Sequence, residues 1–180
     1  MKFFIASDIH GAAKAAEKMK DMFEKEDADR LILLGDLLYH GPRNDIPADY
    51  DTRKTTEILN SLSDRIIWVR GNCDSEVDEM VLDFPVIPAF VLDTDGKLIF
   101  FTHGHVFNRE NLPYKKFKDI LVSGHTHIGG FDYGDEALFI NPGSIGIPKD
   151  GTCGSYLTLS KDTFTLKDLD GKIIRTVTVV

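Results

Sequence analysis

Leu121-Val122-Ser123-Gly124-His125-Thr126-His127 is an apolar run that ends in two imidazoles two residues apart. Four more stretches follow the same plan. Phe3-Phe4-Ile5-Ala6-Ser7 runs into Asp8 and His10, and Leu31-Ile32-Leu33-Leu34-Gly35 into Asp36. Ile66-Ile67-Trp68-Val69-Arg70-Gly71 runs into Asn72, and Leu98-Ile99-Phe100-Phe101-Thr102 into His103. Short runs of Ile, Val, Leu and Phe read as strands buried on both faces, and in α/β folds ligands gather outside the carboxyl ends of such strands. The pattern predicts that donor side chains from all these runs converge on one crevice.

The segments between the runs complete the fold reading. After Gly11, the residues Ala12, Ala15, Ala16, Met19, Met22 and Phe23 share one helical face with Lys14, Glu17, Lys18 and Asp21 opposite, which predicts a helix packed on a sheet. A strand over 30–34 follows, so the first unit reads as βαβ with a parallel strand pair. Tyr39 to Asp51, with Gly41, Pro42 and Pro47, reads as a long polar loop of the kind that is functional or a plain connection. Thr52 to Leu62 reads as a second helix, and Ser75 with Asp78 and Glu79 as the capped start of a short third one. Between Val86 and Thr102, two strands joined by a turn at Asp93-Thr94-Asp95-Gly96 introduce antiparallel pairing, and three hairpin strands from Tyr156 to Val179 close the chain. The whole reads as one α/β domain over residues 1–180, parallel in its first half and antiparallel in its second, with two packed sheets flanked by helices.

Composition narrows the function classes. With 180 residues and 42% hydrophobic content the chain can bury one full core. Lys plus Arg numbers 21 against 29 Asp plus Glu, a net charge of -8, which argues against bulk attraction to duplex nucleic acid or anionic membranes. Cys73 and Cys153 cannot build a disulfide framework and suit a reducing, cytoplasmic setting. Asp8 and His10 interrupt the apolar start before a signal sequence could form, and 84–92, the longest comparable apolar segment, is far short of a membrane span.

The donors at the strand ends are carboxylates, an amide and imidazoles, without a cysteine cluster. Such a set suits Mn, Fe, Ni, Co or Zn and argues against a structural thiolate zinc site. Asp8, His10, Asp36, Asn72, His103, His125 and His127 are too many for one ion and suit two divalent ions sharing a bridging carboxylate. Two ions about 3.5–4 Å apart can hold a bridging hydroxide and clamp a phosphoryl centre during in-line displacement. Glycines stand beside the donors at Gly35, Gly71, Gly104 and Gly124, where a missing Cβ permits a sharp exit from the strand.

The motifs Asp8-Ile9-His10-Gly11, Gly35-Asp36, Gly71-Asn72-Cys73-Asp74, His103-Gly104-His105 and Gly124-His125-Thr126-His127 resemble, in order, those of the calcineurin-like metallophosphoesterases. Tyr39-His40-Gly41-Pro42-Arg43-Asn44 and Asn141-Pro142-Gly143-Ser144 narrow the resemblance to the small YfcE-like phosphodiesterase branch. The resemblance implies a four-layer αββα sandwich of two mixed sheets flanked by helices, and a dinuclear centre for which Mn is the expected metal. One ion would take Asp8, His10, Asp36 and His127, and the other Asp36, Asn72, His103 and His125. It also implies hydrolysis of a small phosphodiester or nucleotide-like substrate by a metal-bridging hydroxide. Many members of the wider superfamily carry His after the Asn of the third motif, where this chain has Cys73.

That departure leaves the leaving-group acid open among His40, His105 and Cys73, with His40 the expected one because it starts a loop that can fold over the substrate. Asn72, His40, His105 and Arg43 form the expected catalytic set, Arg43 facing the phosphate, while Ser144 is expected to support the crevice wall. Two rival classes are a non-catalytic binding scaffold on the same fold and a thiol hydrolase built on Cys73. The uncharged end, Thr176-Val177-Thr178-Val179-Val180, leaves a strand edge unprotected and predicts a homodimer or homotetramer.

Overall fold

The computed structural model describes residues 1–94, 96–134 and 137–179. In chain order its elements are β1 (Lys2–Ala6), α1 (Ala13–Lys25), β2 (Arg30–Leu33), α2 (Thr52–Asn60), β3 (Ile66–Val69), α3 (Glu76–Val81), β4 (Val86–Ile87), β5 (Phe90–Thr94) and β6 (Lys97–Thr102). There follow β7 (Ile120–Ser123), β8 (Gly130–Tyr133), β9 (Leu138–Asn141), β10 (Ser155–Ser160), β11 (Thr163–Asp168) and β12 (Ile173–Thr178). They form a seven-stranded sheet in the order β12-β11-β10-β1-β2-β3-β4 and a five-stranded sheet in the order β5-β6-β7-β9-β8.

Both sheets are mixed, each for a local reason. In the first, β1 to β4 pair in parallel because helices or long loops separate them, while β10, β11 and β12 pair antiparallel across short turns. The second sheet departs from the expected antiparallel half: β6, β7 and β9 are parallel, and only its outer strands β5 and β8 run the other way. Val86–Ile87 also belongs to a different sheet from Phe90–Thr94, so the anticipated strand pair begins only at Phe90. The turn joining β5 to β6 includes Asp95, which lies outside the described residues; Thr94 pairs with Lys97 across it.

One face of the first sheet is covered by helices, with Ala16, Met19, Phe23, Ile58 and Leu59 packed on Phe4, Leu31, Leu33 and Trp68. Its other face carries Ile5, Ile32, Leu34, Val69 and Leu157 onto Ile99, Phe101, Ile120, Val122 and Ile140 of the second sheet. Alternation along each strand thus feeds two cores, as the doubly apolar runs required. Phe117, Leu121 and Ala137, with Phe100, Leu112 and Phe139, form a smaller cluster on the outer face of the second sheet. The segment 103–119, which contributes Leu112 and Phe117 to it, runs as bends and turns. This is the sandwich of two mixed sheets with helices expected from the sequence, the bends of 103–119 taking the place of a helix on the outer face of the second sheet.

The helix starts follow their sequence signals. Asp51 caps α2 by accepting the Lys54 N–H at 2.9 Å. At the start of α3 the Ser75 N–H donates to Asp78 Oδ2 at 2.8 Å, the capping contact read from the sequence. No helix among the described residues is long and apolar enough to cross a membrane. β12 is the outer strand of its sheet, with Ile173 and Ile174 exposed.

Candidate metal centre

The carboxyl ends of β1, β2, β3, β6 and β7 lead into the donor side chains, and several of these sit in strained backbone. Asp8, His10, Asp36, His125 and His127 all have positive φ, between 51° and 68°. This left-handed region is sparsely used by residues with a Cβ and is tolerated best by Asp, Asn and His. Each such turn reverses the chain at the strand end and aims the side chain across the sandwich top. Gly35 and Gly71 make the crossing possible. An ideal Cβ on Gly35 would lie 2.5 Å from Gly71 Cα, and one on Gly71 would strike the Asp36 carboxylate and backbone.

Three overlapping groups of donors result: Asp8 with His10 and His127, Asp36 with His103 and His125, and His10 with Asp36 and Cys73, which shares a residue with each of the other two. In the first, His10 Nε2 lies 3.3 Å from His127 Nε2, and His127 Nε2 lies 3.3 Å from Asp8 Oδ1. In the second, His103 Nε2 is 3.0 Å from Asn72 Oδ1 and 3.2 Å from His125 Nδ1. Asp36 stands between them, its Oδ2 3.7 Å from His10 Nε2 and 3.4 Å from His103 Nε2. Its Oδ1 accepts the Cys73 N–H at 2.8 Å, which fixes the rotamer.

Backbone carbonyls set the imidazole tautomers. Nδ1 of His10 donates to the Tyr39 carbonyl at 2.7 Å, that of His103 to Leu34 at 2.6 Å, and that of His127 to Ile147 at 2.7 Å. A carbonyl can only accept, so each Nδ1 carries the proton and, in the neutral ring, Nε2 presents a lone pair inward. His10 and His127 then point lone pairs at each other beside Asp8 Oδ1, a buried oxygen without a hydrogen-bond partner among the described residues. Acceptors facing acceptors require a positive charge between them, and mixed oxygen and nitrogen donors fit a divalent transition ion.

Burial opposes charge on His103, yet the Asp36 carboxylate bonded to it raises its pKa to about 9. Burial likewise opposes charge on Asp8, but the His10 and His127 contacts hold its carboxyl well below the usual range. His125, by contrast, is lowered by burial and by the neighbouring His103.

A further shell holds the donors in place. Asp74, whose role the sequence left unassigned, accepts the N–H groups of Asp36 at 3.0 Å, Leu37 at 2.9 Å and Gly71 at 2.6 Å, and the Trp68 indole N–H at 3.2 Å. Ser144 is fully buried and supports the wall as expected, donating to the Asp8 carbonyl at 2.7 Å and accepting the Ile147 N–H at 2.8 Å.

A cleft of about 510 Å³ opens on this cluster, lined among others by Asp36, Tyr39, Arg43, Asn72, Cys73, His125, His127 and Lys149. Arg43 thus lines the cleft, and Lys149 is an addition no motif announced. His105 is exposed beside the second group, its ring 5.3 Å from that of His103 and 6.3 Å from that of His125. His40 is not brought into the set. It does not line the cleft; its ring packs edge-on to Tyr50 at 5.3 Å, and its Nδ1 is buried without a partner among the described residues. Burial and the Asp36 carboxylate push the Cys73 thiol up to about 12.

A two-sheet sandwich with carboxylate, amide and imidazole donors converging outside its strand ends is the architecture of a metallophosphoesterase. The chain belongs to the calcineurin-like phosphoesterase superfamily, whose domain model matches residues 1–163. Phosphodiesterase YfcE of Escherichia coli K12 is 44% identical over 175 residues, covering 97% of this chain and 95% of that protein. The solved structure of the Escherichia coli phosphoesterase YfcE matches with a TM-score of 0.93 at 43% identity, over 100% of both chains. A Vps29 variant from Entamoeba histolytica, at 20% identity and a TM-score of 0.63 over 100% of both chains, shares the fold alone.

Proposed function

We propose that this protein is a dinuclear-metal phosphodiesterase acting on small or nucleotide-like substrates, with Mn the expected metal and Ni, Fe, Co or Zn as alternatives. The observation that carries the reading is that the donor groups meet at one carboxylate, Asp36, whose Oδ2 lies 3.7 Å from His10 Nε2 in one group and 3.4 Å from His103 Nε2 in another. Bound divalent ions would supply positive charge to the phosphoryl oxygens and acidity to water.

The chain's own residues do the positioning. Asp8, His10, Asp36 and His127 would hold one ion, and Asp36, Asn72, His103 and His125 the other. The Asn72 amide donates to Cys73 Sγ at 3.3 Å, which turns its Oδ1 inward toward His103. The carbonyls of Leu34, Tyr39 and Ile147 keep three imidazoles in the ligating tautomer, and His105 stands exposed beside the second group. A scaffold that only binds partners has no need of a complete donor set, which favours catalysis over that alternative.

The proposed unit is the single domain of residues 1–180. The acid balance, net charge -8, supports small substrates over duplex nucleic acid. The open edge of β12 supports a homodimer or homotetramer, and the two free cysteines a cytoplasmic setting.

Elemental analysis and turnover of an aryl phosphodiester test the reading. Two ions per chain, activity lost on chelation, and a loss of about a hundredfold or more in Asp36→Ala and Asn72→Ala are expected. Unchanged turnover in both variants would sink it.

A further inference from the structure

Two cations line the cleft without serving the donor cluster. Arg43 and Lys149 are exposed, and neither side chain has a hydrogen bond or ion pair among the described residues. On a chain of net charge -8, two unpaired cations lining the same cleft stand out. They arrive on separate loops, each tied to a different part of the cluster. The Lys149 N–H donates to the His127 carbonyl at 3.4 Å, and the Ile147 carbonyl two residues earlier holds the His127 ring. Arg43 lies in the 39–44 turn, where Asn44 donates to the His40 carbonyl at 2.8 Å and Gly41 packs on Cys73, an ideal Cβ there lying 2.9 Å from its sulfur. The loop of one cation is thereby anchored at His127 and the loop of the other at Cys73.

The reacting phosphoryl group would take its charge compensation from the ions held by the cluster. The space of about 510 Å³ exceeds what one phosphoryl group needs, and the added positive charge requires a second anion to use it. Neither imidazole offered as leaving-group acid, His40 or His105, lines the cleft to protonate an alkoxide. A leaving group that departs as an anion suits such a site.

Building on the phosphodiesterase reading, we infer that Arg43 and Lys149 form a subsite for a second phosphate, and that the preferred substrate is a diphosphate diester cleaved at its P–O–P bridge. The oxygen of one water adds to the attacked phosphorus and the bridging P–O bond breaks. Both halves leave as phosphate monoesters, and near neutral pH the two hydrogens of the water pass to solvent as protons because the monoester second pKa is about 6. The guanidinium and ammonium groups take up the charge that grows on the departing phosphate.

The test compares kcat/KM for a dinucleoside diphosphate with that for bis-para-nitrophenyl phosphate in the Mn-loaded protein. The ratio between the two is expected to fall about tenfold or more in Arg43→Gln and in Lys149→Gln, with partial recovery in Arg43→Lys. Calorimetric affinity for a methylenebisphosphonate diester should fall in parallel, while melting temperatures stay at the wild-type value because both side chains are exposed. An unchanged ratio in both variants overturns the subsite. Turnover of the aryl diester without turnover of the diphosphate diester also overturns it and leaves the phosphodiesterase reading standing; turnover of neither ends both.

Discussion

The carboxylate of Asp74 holds the backbone of Asp36: Asp74 Oδ2 accepts the Asp36 N–H at 3.0 Å, while Oδ1 accepts that of Leu37 at 2.9 Å. The central carboxylate is thus placed by a second, buried carboxylate in the cleft wall, which also accepts the Gly71 N–H. Asp74→Asn puts an amide N–H where only acceptors fit. We expect a loss of about 2–3 kcal/mol in urea unfolding and a tenfold to hundredfold drop in metal affinity, roughly. Wild-type metal affinity in Asp74→Asn would show that Asp36 is held by other contacts.

Gly71 tests the same crossing sterically. A Cβ there would strike the Asp36 carboxylate and lie 2.5 Å from the Asp36 nitrogen, and both are fixed by Asp74 and Cys73. Gly71→Ala is expected to cost at least about 2 kcal/mol in stability and to lose tight metal binding, read by thermal melts with and without Mn. Gly130, whose Cβ would meet nothing within 4 Å and whose backbone is not left-handed, is the control for steric cost. If the Gly71 variant keeps the metal-induced rise in melting temperature, the crossing is softer than its geometry implies.

His40 carries a kinetic prediction opposite to its place in the sequence. Its ring lies against Tyr39 at 4.8 Å and Tyr50 at 5.3 Å rather than along the cleft. His40→Ala should therefore leave the ratio of alkyl-ester to nitrophenyl-ester rates unchanged, with both rates altered only through the stability of the 39–51 loop. A selective loss on alkyl esters would return His40 to the role of leaving-group acid.

The donor set was legible because each strand is apolar throughout and ends on a residue of ligand chemistry, a local pattern that survives any rearrangement of the sheets. Strand direction was less so. Short turns in the second half read as antiparallel pairing, yet β7 reaches its parallel neighbour β9 by way of β8, a four-residue strand with Phe131 its one fully buried residue. Asp74 stood in a motif but without a role, since its burial depends on Trp68, Gly71 and the Asp36 turn meeting in space. Lys149 follows Pro148 in a loop without a motif, and the facing of His40 is set by Tyr50 from the far end of its own loop. What the sequence withheld was long-range side-chain placement, which no local periodicity encodes.

Glu26, remote from the cleft, ties α1 to the first sheet and supplies a pH signature for folding. It stands just past the end of α1. Its Oε1 accepts Tyr156 Oη at 2.9 Å and Lys167 Nζ at 2.6 Å, and its Oε2 accepts Lys2 Nζ at 2.8 Å. Partners on β1, β10 and β11 thus meet one carboxylate at the helix end. Partial burial opposes its charge, but the bonds from Lys167, Lys2 and Tyr156 prevail and lower its pKa to about 2. An acid depressed in the folded state stabilises the fold fully above its unfolded pKa, because there the unfolded chain gains nothing by binding the proton. That contribution is lost as pH falls from about 4.5 toward the folded value, where the unfolded chain binds the proton first. Glu26→Gln keeps the shape, removes the charge and sets an amide against an ammonium, so it should destabilise by roughly 1–3 kcal/mol near neutral pH. Urea unfolding of the two chelator-treated proteins should show that gap shrinking between about pH 5 and pH 3, with ligand protonation common to both and cancelling in the difference. A gap that stays constant across the range would mean that the glutamate acts through packing alone.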